Sequence, residues 1–66
     1  MKVEITTYQK NNYEPDFYYL VKAESEKRRI VYTSDSEELY FGSHRLAYLA
    51  GADQVNAWIA QGKIND

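Results

Sequence analysis

Phe17-Tyr18-Tyr19-Leu20-Val21-Lys22-Ala23-Glu24 is the stretch on which the fold turns. Read at the two-residue period of a strand, Phe17, Tyr19 and Val21 fall on one side and Tyr18 and Leu20 on the other. Both sides are apolar. A strand apolar on both faces belongs in the middle of a sheet. The segment before it, about residues 2–9, alternates differently. Val3, Ile5 and Thr7 interleave with Glu4, Thr6 and Tyr8, the pattern of a half-buried strand. Between the two, Lys10-Asn11-Asn12-Tyr13-Glu14-Pro15-Asp16 gathers residues that favour turns. After Glu24, Ser25-Glu26-Lys27-Arg28 makes a polar turn and about residues 29–34 a third, β-branched strand. The economical topology is an antiparallel meander with residues 17–24 central.

The second half reads as helix. Ser34 and Glu37 have capping-box spacing, with Ser34 at the cap. Only Leu39, Tyr40 and Phe41 follow before Gly42, so residues 35–41 fit either one helical turn or a short fourth strand. Ser43 caps a helix over about 43–50, and Gly51 reads as its stop. A second helix spans about 52–61 and ends at Gly62. Phase separates the two. At roughly 100° per residue, Leu46, Leu49 and Ala50 share one side, and Val55, Trp58 and Ile59 lie nearly opposite. A break at Gly51 turns both stripes onto the sheet, with Trp58 as anchor and Val55 and Ile59 beside it. A continuous helix instead leaves one stripe for a partner to bury. The fold expected is α+β: a three- or four-stranded antiparallel meander, then two short helices packed on one face. Residues 1–66 form one domain.

Composition narrows the functions. Sixty-six residues, 44% of them apolar, suffice for one small core. Such a chain buries only about 60% of its unfolded surface, near the limit for independent folding. It has no cysteine to staple that core or to serve as a nucleophile or thiolate ligand, and a lone histidine makes no metal site. No cofactor, metal or small-molecule substrate is expected. The longest apolar run, Phe17 to Val21, is far short of the roughly 20 residues of a membrane span. Met1-Lys2-Val3-Glu4 lacks the apolar core of a secretory signal, so the expected compartment is the cytoplasm. Eight basic against ten acidic residues leave a net charge of −2, unlike a nucleic-acid neutraliser.

Three groups of residues bear on function. Lys27, Arg28 and Arg29 are the basic cluster, able to touch phosphates or simply to protect a sheet edge. Glu24 and Glu26 blunt their field. Asp35, Glu37 and Glu38 precede a helical turn, where carboxylates complement the helix end or meet a basic partner. Ser43, His44 and these carboxylates supply the residue types of a hydrolytic site. No nucleophile elbow, phosphate-binding glycine loop or metal-ligand spacing accompanies them, so no enzymatic activity is expected. The seven tyrosines are the strongest signal. With Val3, Ile5, Phe17, Tyr19 and Val21 facing the helices, Tyr8, Tyr18 and Leu20 lie on the opposite face, near Tyr32 or Val31. Nothing in such a chain is left to cover them. An uncovered, tyrosine-rich apolar face marks an interaction site.

The expected function is a protein-binding module. Its profile is that of many small phage and mobile-element proteins, anti-CRISPR-like inhibitors among them, which block a host protein or defence complex. The expected contacts are Tyr8, Tyr18, Leu20, Tyr32, Asp35, Glu37 and Glu38. Two alternatives stand beside it. One is a nucleic-acid-binding or transcription-regulating protein using Lys27, Arg28, Arg29 and the sheet tyrosines. The other is a homodimeric structural subunit.

Overall fold

A computed structural model of the chain describes residues 1–64. Three strands, β1 (Lys2–Gln9), β2 (Phe17–Glu24) and β3 (Arg29–Thr33), form an antiparallel sheet in the order β1-β2-β3. The strand with two apolar faces is the central one, as its pattern requires. Register pairs Ile5 with Val21 and Tyr8 with Tyr18 on one side of β2, and Val21 with Tyr32 on the other. The β1–β2 connection is held by its own side chains. Asn11 Oδ1 accepts from the Tyr13 and Glu14 amides, both at 2.9 Å, and the Lys10 amide donates to the Asp16 carbonyl. The Ser25 amide closes the second hairpin by donating to the Arg28 carbonyl at 2.8 Å.

A 3-10 turn, Ser34–Glu37, follows β3. Its cap is Thr33 rather than Ser34: Thr33 Oγ1 accepts from the Asp35 amide at 3.1 Å. Ser34 is instead fully buried, and its hydroxyl accepts from the Tyr19 amide at 3.1 Å. A neighbouring strand amide claimed the side chain that the capping-box reading assigned to the helix end. Residues 35–41 are not a fourth strand either. Phe41 makes a single antiparallel bridge to Phe17, with bonds of 2.8 and 2.9 Å in the two directions.

One helix, α1 (His44–Ala60), completes the fold where two were expected. Ser43 caps it, its side chain accepting from the Leu46 amide at 3.1 Å. The chain then runs through Gly51 without a break. Gly51 is buried against the sheet, where an added Cβ would lie 3.0 Å from Ile5 Cγ2 and 3.1 Å from Tyr19 Cγ. Its role is close approach of helix to sheet, not termination. Ala47, also fully buried, sits one turn earlier on the same side. Termination falls at Gly62, in the left-handed region at φ 78°, where the Lys63 amide donates back to the Trp58 carbonyl at 2.9 Å.

The core lies between α1 and the inner sheet face: Tyr19, Val21, Ala23, Trp58 and Ile64, with Ile5, Ile30, Tyr32 and Val55 against them. Trp58 anchors the helix as its phase demanded, with its ring edge-on to Tyr32 at 5.6 Å. Ile59 does not join it and is 53% exposed. A straight helix cannot turn Leu46, Leu49 and Ile59 inward together with Ala47, Gly51 and Trp58.

Candidate functional site

Alternation along the strands builds the outer sheet face. Tyr8 and Tyr18 are direct cross-strand partners, and their rings stack with centroids 5.5 Å apart at 29°. Leu20 follows on the same face of β2, and Val31 on β3 is 52% exposed. Tyr40 joins them because the Phe17–Phe41 bridge makes residues 40 and 41 alternate as in a strand. Phe41 turns to Tyr19 in the core, and Tyr40 stands edge-on to Tyr18 at 6.4 Å. Tyr40 was not singled out in the sequence, although the apolar run Leu39-Tyr40-Phe41 held the signal. Since α1 packs on the inner face, no other element among the described residues covers this one.

The site is acidic at its rim. The Tyr40 hydroxyl donates to Asp35 Oδ1, and Lys10 Nζ sits 4.4 Å above the Tyr40 ring centroid. That hydrogen bond to Asp35, followed by burial and the nearby charges of Asp35, Glu38 and Asp16, pushes the Tyr40 phenol up to about 12. Glu37 is occupied elsewhere: its Oε2 accepts from the Tyr32 hydroxyl at 2.6 Å, which holds that phenol well above its ordinary value. A phenol whose folded value exceeds its unfolded one stabilises the fold fully below the unfolded value. That contribution disappears as pH rises through the folded value. Alkaline titration should therefore show stability constant up to about pH 10 and falling between about pH 10 and 12. Asp35→Asn should let Tyr40 ionise earlier, read by phenolate absorbance; an unchanged titration curve would show that the Asp35 bond does not hold the proton.

The expected contacts divide. The structure brings Tyr8, Tyr18 and Leu20 together and sets Asp35 and Glu38 beside them through Tyr40. It does not bring Tyr32, whose register partner Val21 points to the core and whose ring meets Trp58 and Tyr19. Val31 holds the outward position instead. The hydrolytic residue types also stay apart in role. Ser43 is engaged as the helix cap, Asp35 accepts from Tyr40, and His44 Nδ1 is hydrogen-bonded to Thr7 Oγ1 at 2.8 Å with its ring 4.5 Å from Phe17. Among the described residues no group of three or more His, Asp and Glu is placed to hold a metal ion, and no helix is long and apolar enough to cross a membrane.

Lys27, Arg28 and Arg29 sit at the far end of the sheet, where Arg28 Nη1 donates to the Lys63 carbonyl at 3.0 Å. From Tyr18 to Glu24, whose strand partner is Arg29, is six residues of strand, about 20 Å. The basic turn and the tyrosine face are therefore separate surfaces. Fluorescence anisotropy with single- and double-stranded oligonucleotides at physiological salt should show no sub-micromolar binding. Tight binding abolished by charge reversal at Lys27, Arg28 and Arg29 would overturn that expectation.

Comparison with known proteins gives no match, whether to a family model, a curated protein or a solved structure.

Proposed function

We propose that this chain is a protein-binding module that acts by covering a surface of its partner, as small phage and mobile-element inhibitors do. The observation that carries the reading is the uncovered outer sheet face, with Tyr8 stacked on Tyr18 and Tyr40 edge-on beside them. Tyrosines in such a cluster bury area at low entropy cost and concentrate binding energy in a few rings. The partner surface that fits is basic. Asp35, Glu38 and Asp16 surround Tyr40, and the chain's own Lys10 already occupies one ring face as a cation there. Charge of this kind selects partners and speeds association.

A sheet face lined by cross-strand rings favours contact with a protein over capture of a small molecule, which needs a concave pocket. Tyr18→Ala should weaken partner capture about 30-fold, the effect of losing roughly 2 kcal/mol at a hot spot. It should leave the thermal transition within a few degrees of wild type, because Tyr18 faces away from the core. Asp35 and Glu38 substitutions should act more weakly, mainly through association rate, and less at high salt. Capture indifferent to Tyr8, Tyr18 and Leu20 substitutions would remove the reading's support.

A further inference from the structure

We infer that β3 is the seam of a two-fold dimer, in which the β3 strands of two copies pair antiparallel with Val31 against Val31. β3 is an edge of the sheet, and among the described residues no strand pairs with its far side. The hydrogen-bond phase fixes which groups that edge offers. The Ser25 amide donates to the Arg28 carbonyl, so the flanking pair Glu24–Arg29 is one that exchanges no bonds of its own. Alternation along the ladder then directs the N–H and C=O groups of Ile30 and Tyr32 to β2 and those of Arg29, Val31 and Thr33 away from it. The Thr33 carbonyl is taken by the Ser36 hydroxyl at 2.7 Å. The others form a template for a further strand, and β3 has neither a proline nor a bulge to blunt it.

The strand is complementary to itself, as a two-fold interface requires. Centred on Val31, each Val31 exchanges both its bonds with the other, and each Thr33 amide donates to the Arg29 carbonyl of the other copy. On the inner face Ile30 meets Tyr32 of the other copy, an aliphatic–aromatic cross-strand pair of half-buried residues. There is room for it, because α1 lies over β1 and β2 and reaches β3 through the Trp58 ring. On the outer face Val31, 52% exposed, is covered by its counterpart.

Charge along the same edge selects a second copy as the added strand. Exposed Lys27 and Arg29 stand at the start of β3, and exposed Asp35 and Glu37 follow its end in the 3-10 turn. Antiparallel pairing brings the basic start of each copy alongside the acidic turn of the other, with Lys27 falling opposite Asp35 when the register is extended. Parallel pairing sets like charge against like. The nearest like charges in the antiparallel pair are the two Lys22, each beside a Val31 on β2. They stand three strand spacings apart, about 14 Å, beyond the screening length of about 8 Å. β1, the other edge, has no such opposition, since Lys2 and Glu4 pair with each other at 3.4 Å at one end of it. The joined sheet runs β1-β2-β3-β3-β2-β1 and lays the two tyrosine faces side by side, with Asp16 and Glu38 still beside Tyr40. A partner with repeated sites is then held more tightly than by either face alone. The seam is one short strand, so the dimer is weak, with a dissociation constant of about 10–100 µM.

Sedimentation equilibrium of the full chain tests this. A monomer–dimer equilibrium is expected in that range, weakening as salt rises. Val31→Pro removes an amide that β2 does not use, and proline is tolerated on the open side of an edge strand. It should leave a monomer with an intact circular dichroism spectrum. Val31→Lys, which sets two ammonium groups at the seam, should do the same at an exposed position, whereas Tyr18→Ala should dimerise as wild type does. Two readouts need no seam variant. The Val31 and Thr33 amides of wild type should exchange with solvent more slowly as concentration rises. Since the chain has no cysteine, Glu26→Cys can carry a single spin label; mixed with isotope-labelled chain, it should broaden amide signals near Asp35–Glu37 of the other copy. A monomer up to about 1 mM, a dimer that survives both Val31 changes, or broadening centred on residues 24–28 of the other copy would each overturn the inference.

Discussion

Trp58→Ala is expected to abolish the cooperative thermal transition. The indole is 7% exposed and fills the space between α1 and the sheet, edge-on to Tyr32. Truncating a buried Trp costs about 3–5 kcal/mol, from lost transfer energy and the cavity left behind. A chain of this length has roughly 3–10 kcal/mol of stability to lose. Few other residues can take over, because the rest of the buried cluster is Tyr19, Val21, Ala23 and Ile64. Circular dichroism should show a largely unfolded chain at 25 °C, or a transition lowered by tens of degrees. A melt within a few degrees of wild type would mean that the helix is not seated through Trp58.

Gly51→Leu should do nearly as much harm by the opposite route. In an isolated helix, leucine is better than glycine by roughly 0.5–1 kcal/mol, so local propensity predicts a gain. Packing predicts a loss. The first added carbon already meets Ile5 Cγ2 at 3.0 Å and Tyr19 Cγ at 3.1 Å, and the remaining carbons have no room. Overpacking a closed core costs about 1–3 kcal/mol and sometimes more. Here it also lifts the helix from the sheet and loosens Trp58 two turns on. The net expectation is a loss of about 2–3 kcal/mol by denaturant titration. A stabilised variant would restore Gly51 to the role of a hinge or stop.

These two residues also mark the boundary of what local sequence can carry. Strand periodicity held for the first hairpin: β2 is apolar on both faces and lies centrally, and β1 is half-polar and lies at an edge. Trp58 was legible from its phase with Val55. Gly51 was not, because a glycine that ends a helix and one that lets a helix touch a sheet look alike in sequence. What distinguishes them is Ile5 and Tyr19, distant along the chain. Tyr32 and Val31 pose the same problem, since β3 is apolar on both sides through Ile30, Val31 and Tyr32. Only its register with Val21 decides which ring turns inward. Tyr40 reached the site through one backbone bridge between Phe17 and Phe41, and the run Leu39-Tyr40-Phe41 hinted at an extended segment without saying which strand it would meet. Tyr8, Tyr18 and Leu20 could be placed because β1 and β2 form a simple hairpin whose alternation fixes both faces.

The central claim is that the outer tyrosine face is the surface that meets the partner protein. Its most direct test is quantitative capture, from nuclease-treated lysate of the source cell or its host, by immobilised wild type, Tyr18→Ala and Leu49→Glu. Bound proteins are compared by mass spectrometry, and the affinity of the main one is then measured with each purified variant. The account predicts one basic protein retained by wild type and by Leu49→Glu, and bound about 30-fold more weakly by Tyr18→Ala. Equal binding to Tyr18→Ala, with loss on Leu49→Glu, would contradict it.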